Sequence, residues 1–390
     1  TTTYYVRAEG DCNNSAAVNN TVTVKVESTD PTGITISTDN ICPGDNTTLS
    51  VVGGSLGTGA TWEWYTDAGL SVSAGSGASI TVSPAVTTTY YVRAEGDCNN
   101  SASVNNTVTV KVESTDPTGI TLSIDHICPG DNTTLSVVGG SLGTGATWEW
   151  YTDAGFGTSA GSGASITVSP AVTTTYYVRA EGDCNNSAAV NNTVTVKVES
   201  TDPTGITISD NDICPGDNTT LSVVGGSLGT GATWEWYTDA TLLTSAGSGA
   251  SITVSPAVTT TYYVRAEGDC NNSAVVNTTV TVKTESTAPT SITISVNDIC
   301  PGDNTTLSVV GGSLGTGATW EWYTDAAFSS SAGSGASITV SPAVTTTYYV
   351  RAEGDCNNSA AVNNTVTVKV ESTDPTGITI STDNICPGDN

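Results

Sequence analysis

The sequence predicts an all-β chain built as a tandem array of β-sandwich domains with an 86-residue period. Three observations predict it. The string T-T-T-Y-Y-V-R-A-E-G-D-C begins at Thr1, Thr87, Thr173, Thr259 and Thr345, with nothing inserted or deleted between copies. A fixed period of this kind marks a repeat architecture and overrides any domain count guessed from length. Thr, Ser, Gly, Asn and Val dominate, and small β-formers broken by turn residues read as strands. Each repeat also holds two Trp and three Tyr at strand parity, which argues against the disorder that so few large apolar side chains would otherwise allow.

The natural unit starts at the proline of the D-P-T-G or A-P-T-S junction. Four full repeats then occupy 31–116, 117–202, 203–288 and 289–374, with partial units at 1–30 and 375–390. Because both ends fall inside a repeat, the polypeptide is expected to continue in both directions.

Within 31–116, Gly33 to Ser37 alternates apolar and polar residues and predicts a first strand. Cys42-Pro43-Gly44-Asp45 is a turn signal. Thr47 to Val52 follows, with Leu49 and Val51 facing in, and Gly53 to Gly59 is a glycine-rich loop. Strands are next expected at Thr61–Thr66, around Trp-Glu-Trp-Tyr, then at Ala78–Ser83 with Ile80 and Val82 inward. The last two are Thr88–Glu95 and Thr107–Val112, the latter with Val108, Val110 and Val112 inward. Strands at this spacing suggest an immunoglobulin-like sandwich. One antiparallel register of the Trp strand against Thr88–Glu95 satisfies both faces. It sets Trp64 opposite Val92 and Trp62 opposite small Ala94 inside. Outside, it sets Glu63 opposite Arg93 and Tyr65 opposite Tyr91.

Charge narrows the partners. The net charge is −28, from 38 acids against 10 bases, which disfavours nucleic acid and anionic membrane as partners. No segment reads as a membrane span. Cysteine recurs twice per repeat: Cys12/Cys42, Cys98/Cys128, Cys184/Cys214, Cys270/Cys300 and Cys356/Cys386. Regular, even cysteines in an acidic Thr/Asn-rich chain indicate disulfides and an oxidising, extracellular compartment. Zinc is a poor alternative, since C-x-x-C is missing and the single His, His126, occurs in one repeat alone.

The run Cys42 to Leu49 (C-P-G-D-N-T-T-L), then Trp64 to Asp67 (W-Y-T-D), then Thr87 to Ser101 resembles the Ig-like repeat domains of Bacteroidota surface and secreted proteins. The resemblance covers the chain repeat by repeat. It implies a spacer in a cell-surface adhesin or a modular secreted enzyme, exported by the type IX route, and one disulfide inside each domain, Cys42–Cys98. Strand geometry resists that bridge. Cys42 precedes one strand and Cys98 follows another that runs the same way, so they sit at opposite poles, roughly 30 Å or more apart at strand rise. A bridge needs Cα atoms within about 7 Å. Either the first strand folds back, or the bridge joins neighbouring domains, as in Cys42 to Cys184. The intradomain bridge is the expected one, as the resemblance implies.

Several features bear on chemistry. Asp39, Asp45, Asp67, Glu95, Asp97, Glu113 and Asp116 could suggest calcium at domain junctions, but no D-x-D-x-D-G loop is present and Asp116 becomes Ala288 in one copy. Solvated acidic turns are the plainer reading, and no cofactor is expected. Tyr65 and Tyr91 on one outer face could stack on sugar rings; a cross-strand pair stabilising its own sheet is the plainer reading. The segment after the Trp strand varies most among copies yet keeps one large apolar residue, Leu70, Phe156, Leu242 or Phe328. That suggests a contact surface or, more simply, loop drift around a buried anchor. Asn46, Asn99 and Asn105 begin Asn-x-Ser/Thr sequons, which are also ordinary turn residues. No nucleophile–base pair or nucleotide motif recurs, so no enzyme is expected.

The expectation is therefore a structural stalk or filament at the cell surface, whose partners are other copies, host or substrate surfaces, or glycans. Rivals are a carbohydrate-binding array and a passive spacer of a secreted enzyme. Four domains end to end would extend roughly 150 Å, with junctions too short for a flexible linker.

Overall fold

The computed structural model describes residues 1–379 and Gly388, and it divides into two compact units, Thr1–Lys197 and Val198–Asn390. A hairpin of β1 (Thr2–Val6) and β2 (Val18–Val22) precedes the first full repeat. That repeat contains β3 (Gly33–Ile36), β4 (Thr47–Val52), β5 (Thr61–Tyr65), β6 (Ser73–Ser76), β7 (Ser79–Val82), β8 (Thr88–Glu95) and β9 (Val104–Val108). They form two antiparallel sheets, ordered β3-β4-β7 and β6-β5-β8-β9. The three later repeats carry the same seven strands in the same order, and the second and third add a two-residue strand at the edge of the larger sheet. This is the immunoglobulin-like sandwich that the alternation predicts. The partial unit expected at 375–390 lies for the most part outside the described residues.

Period-two alternation turns one face of each strand inward. Leu49, Trp64, Val92, Ala94 and Val108 are fully buried, with Ile34, Ile80, Trp62 and Tyr90 closing round them. Trp64 fills the middle, and its indole N–H donates to the carbonyl of Gly77 at 2.9 Å. That bond offsets the cost of burying a polar group. Gly77 has φ of +111°, a conformation that L side chains rarely adopt. The corner needs glycine to aim its carbonyl at the indole.

The β5–β8 register is the one the two faces dictate: Trp62 lies opposite Ala94, Glu63 opposite Arg93, Trp64 opposite Val92 and Tyr65 opposite Tyr91. The expected Glu63–Arg93 ion pair does not follow from it. Arg93 instead grips Glu95 on its own strand, Nη2 to Oε1 at 2.6 Å, while Glu63 accepts from Thr61 at 2.7 Å. Residues two apart share a face of a strand, so the in-strand carboxylate competes on equal terms with the cross-strand one.

Three further differences have local causes. β6 was missed, because Ser-Ala-Gly-Ser carries no apolar alternation; it pairs with β5 through a register shift between Trp64 and Tyr65. The last strand runs Val104–Val108, earlier than the expected Thr107–Val112. Val108 and Val110 are buried as expected, but Val112 is 64% exposed, because the chain by then has left its own sandwich. Lastly, the first strand changes sheets. Ile36 pairs with Leu49, the chain crosses over, and Ile41 bridges Val110 in parallel on the opposite sheet. The equivalents are His126–Ile127 beside Thr195–Val196 and Asp212–Ile213 beside Thr281–Val282.

The crossing is held by side chains. The buried Thr47 hydroxyl donates to the carbonyl of Thr38 at 2.7 Å, and the Asp39 carboxylate accepts the amide of Thr109 at 2.7 Å. That amide is the main reason the Asp39 carboxyl lies below its usual range.

Trp150, the second repeat's counterpart of Trp64, makes the same indole bond to Gly163 at 2.8 Å. Trp150→Ala should destabilise its own repeat by about 3–5 kcal/mol, from lost contacts and the cavity left behind. In denaturant titration this should split off an early transition carrying about a quarter of the unfolding amplitude, since the four cores are separate. A single unshifted transition would contradict it.

Candidate functional site

The densest set of specific polar contacts lies where one repeat meets the next. The segment after β9 docks on the glycine-rich loop and the β8–β9 loop of the following repeat. Val112 donates its amide to the Thr144 hydroxyl at 3.0 Å and accepts the Thr144 amide at 2.9 Å. Ser114 is buried. Its amide donates to Asn185 Oδ1 at 2.8 Å, Asn185 Nδ2 donates to its carbonyl at 2.9 Å, and its hydroxyl accepts the amide of Gly143 at 3.0 Å. Thr115 pairs with Ser141, and the Asp116 carboxylate accepts the amide of Ala188 at 2.7 Å. A Cβ on Gly143 would overlap the backbone of residues 112–114, so the glycine-rich loop is the seat of the incoming segment.

The same contacts recur at Ser28/Asn99, Ser200/Asn271 and Ser286/Asn357. Asn99, a sequon asparagine, is thus occupied by the Ser28 backbone, whereas Asn46 and Asn105 are exposed.

Charge and covalency close the junction. Lys25 pairs with Asp97 at 2.9 Å, Lys111 with Asp183 at 2.9 Å and Lys283 with Asp355 at 3.1 Å. Beside them, Cys42 is bonded to Cys184 and Cys214 to Cys356, each with a Cα–Cα distance of 5.4 Å. Cys128 and Cys270 are disulfide-bonded as well, while Cys12, Cys98 and Cys300 are free and exposed. The intradomain Cys42–Cys98 bridge that the resemblance implied is not formed. The change of sheets before Ile41 leaves Cys42 at the pole where β9 ends, and Cys98 lies beyond β8 at the other. What stands near Cys42 is the next repeat's loop, led in by Lys111 and Asp183. Each bond closes a loop of sequence separation 142, worth about 5 kcal/mol in the chain-entropy account.

The outer face of β5 and β8 is a second recurring cluster. The Tyr65 hydroxyl donates to Glu95, which Arg93 also holds. After β5 the Asp67 carboxylate accepts the amides of Ser71 at 2.9 Å and Val72 at 2.7 Å. The turn it caps forces a large residue to positive φ: Leu70 54°, Phe156 58°, Leu242 59° and Phe328 57°. Bulky residues adopt this conformation only when their surroundings over-determine it. Here the capping carboxylate does so together with packing. Phe156 lies edge-on to Tyr151 at 5.4 Å and to Tyr177 at 6.4 Å, with the Arg179 guanidinium 4.0 Å over its ring. Phe328 repeats this on Tyr323, Tyr349 and Arg351. The anchor therefore packs on its own sheet while its neighbours in sequence vary.

A family model described as "Ig-like domain CHU_C associated" matches residues 30–111, 116–197, 202–283 and 287–369. The chain belongs to this family. No curated protein matches it. Among solved structures it is similar to the N-terminal four Ig domains of Dscam1 isoform 6.9, at 12% identity over 87% of this chain and 100% of that one, TM-score 0.25. It is similar to a Ca2+-stabilised adhesin with which an Antarctic bacterium binds ice, at 16% identity over 88% and 99%, TM-score 0.37. It is also similar to the ICAM-5 D1–D4 ectodomain fragment, at 10% identity over 87% and 99%, TM-score 0.35.

In these Ig-like repeats several of the recurrent acids are engaged. Asp39 and Asp67 cap backbone, Asp116 holds an amide, Asp183 meets Lys111 and Glu95 meets Tyr65 and Arg93. Among the described residues no group of His, Cys, Asp or Glu is arranged to hold a metal ion, and no helix is long and apolar enough to cross a membrane. Sequence reasoning missed Ser114 and Asn185, because each is a common surface residue whose partner lies in a different repeat. The one legible trace was Gly143, inside a glycine-rich loop longer than a tight turn requires.

Gly143→Val should unseat residues 112–114, so that limited proteolysis cleaves the 112–116 segment faster while the strands resist; unchanged cleavage would refute the docking. The outer cluster predicts a pH signature. Chiefly through its hydrogen bond to Glu267, the Tyr237 phenol is pushed up to about 12. That contribution to stability is full below the ordinary tyrosine value and lost as pH rises through the folded value. The same bond lowers Glu267, so its share is full above the ordinary carboxyl value and lost as pH falls through the depressed one. In an alkaline absorbance titration Tyr237→Phe should remove one late-titrating phenol, and an unchanged late phase would contradict the bond to Glu267.

Proposed function

We propose that this chain is a length of shaft from an extracellular adhesin stalk or filament, whose work is to hold distance and carry load. The observation that supports it best is the investment in the junction. Each docked segment is fixed by backbone pairing, a buried serine and a two-way asparagine bond, and a bridge is added across the repeats. Independent domains on a slack tether need none of this, because inter-domain motion is the default where an interface is small.

The acidic surface keeps copies soluble and discourages non-specific association. The bridges fit an oxidising space outside the cell. In this reading the partners are other copies of the protein or the surface that the shaft reaches. The glycan-binding alternative loses its main support, since the Tyr65 hydroxyl is committed to Glu95 and the equivalent rings carry Phe156 or Phe328 on one side.

Electron microscopy of the native cell surface, with antibody raised against one repeat, should label a thin beaded thread. Label confined to compact particles or to the cell interior would overturn the proposal. A glycan array should show no affinity that Tyr65→Ala and its equivalents abolish.

A further inference from the structure

The bridges have a topological consequence. A tandem array of ordinary domains carries tension along its peptide, through every domain in turn, and each domain that gives way pays out its full length. Here Cys42 and Cys184 are 142 residues apart along the chain but 5.4 Å apart through the bond, and Cys214 and Cys356 are arranged identically. Tension entering at residue 42 therefore leaves at 184 without passing through 43–183, and tension entering at 214 leaves at 356. The by-passed stretches contain β4–β9 of the first repeat, the docked segment that follows, and the second repeat through Thr174–Glu181. They also contain the corresponding strands of the third and fourth repeats.

We infer that the inter-repeat bridges form a covalent by-pass that makes the array an inextensible tether, in which most strands are shielded from axial load. What stays in the load path between the two bridges is 185–213. It comprises one last strand, Val190–Val196, then a docked segment, then one first strand, Gly205–Ile208, and the two-residue strand Asp212–Ile213. The bonds at Cys128 and Cys270 can shorten this path and cannot lengthen it. The offset of the bridge is what produces the effect. An intradomain Cys42–Cys98 bond would leave every junction peptide loaded, whereas a bond that skips from one repeat's pole to the next repeat's loop spans the junction itself. Lys111 with Asp183 and Ser114 with Asn185 flank the bond. They hold the two poles together alongside the covalent bond.

This inference rests on the load-bearing reading above but is tested apart from it, on the molecule alone. The 390-residue chain, its free thiols alkylated, is held by non-thiol handles at its two ends and stretched in a force spectrometer. At about 3.6 Å per residue, the reduced chain should reach on the order of 140 nm, in steps of about 30 nm as repeats unfold. The oxidised chain should stop at about 40 nm by the same measure, some 3.5-fold shorter, with no 30 nm step. Cys42→Ser with Cys184→Ser should return tens of nanometres to the oxidised chain. Full-length steps in the oxidised chain, or equal final lengths with and without reductant, would overturn the by-pass. The final lengths decide the matter even if a variant or the reduced chain is unfolded. Native threads seen by microscopy with equal lengths here would sink the by-pass and spare the shaft.

Discussion

Everything distinctive about this chain depends on the change of sheets made by the first strand of each repeat. Ile36 belongs to one sheet and Ile41 to the other, and a few residues held by Thr47 and Asp39 make the passage. A first strand that stayed on one sheet would leave the cysteine near the second strand. Because the strand switches, Cys42 emerges at the pole beside the departing chain, within reach of the next repeat. Without that switch there is no inter-repeat bridge.

The junction shows how small, common residues build a rigid connection. No single contact there is strong: an exposed Lys–Asp pair contributes little by itself, and one neutral hydrogen bond adds about 1 kcal/mol net. Their value lies in being simultaneous. The glycine at 143 lets two backbones approach, the approach buries Ser114, and burial makes the asparagine's two bonds obligatory rather than optional. The covalent bond then converts a good fit into a permanent one. The same economy appears on the outer face, where Asp67 and the aromatic cluster together hold a bulky residue in a conformation it would not adopt alone.

Near-identity between neighbours is a hazard as well as a convenience, since similar adjacent domains exchange strands readily during folding. Docking each segment on the next repeat ties folding to the correct neighbour. A bridge needs its two Cα atoms within about 7 Å, and the docked junction holds Cys42 and Cys184 at 5.4 Å.

The sequence by itself determined the repeat, most of the strand content and the register of the central pair. These depend on alternation and on matching large against small residues, both of which are local. It also narrowed the bridge to two choices, of which the family resemblance favoured the wrong one. The tertiary structure decided what depends on residues far apart in the chain. It chose Cys184 over Cys98, Glu95 over Glu63 as the partner of Arg93, and the neighbouring repeat over the parent one as the seat of residues 112–116. Those choices are invisible in a periodic sequence, because each copy offers the same residues and only three-dimensional proximity says which copy is used.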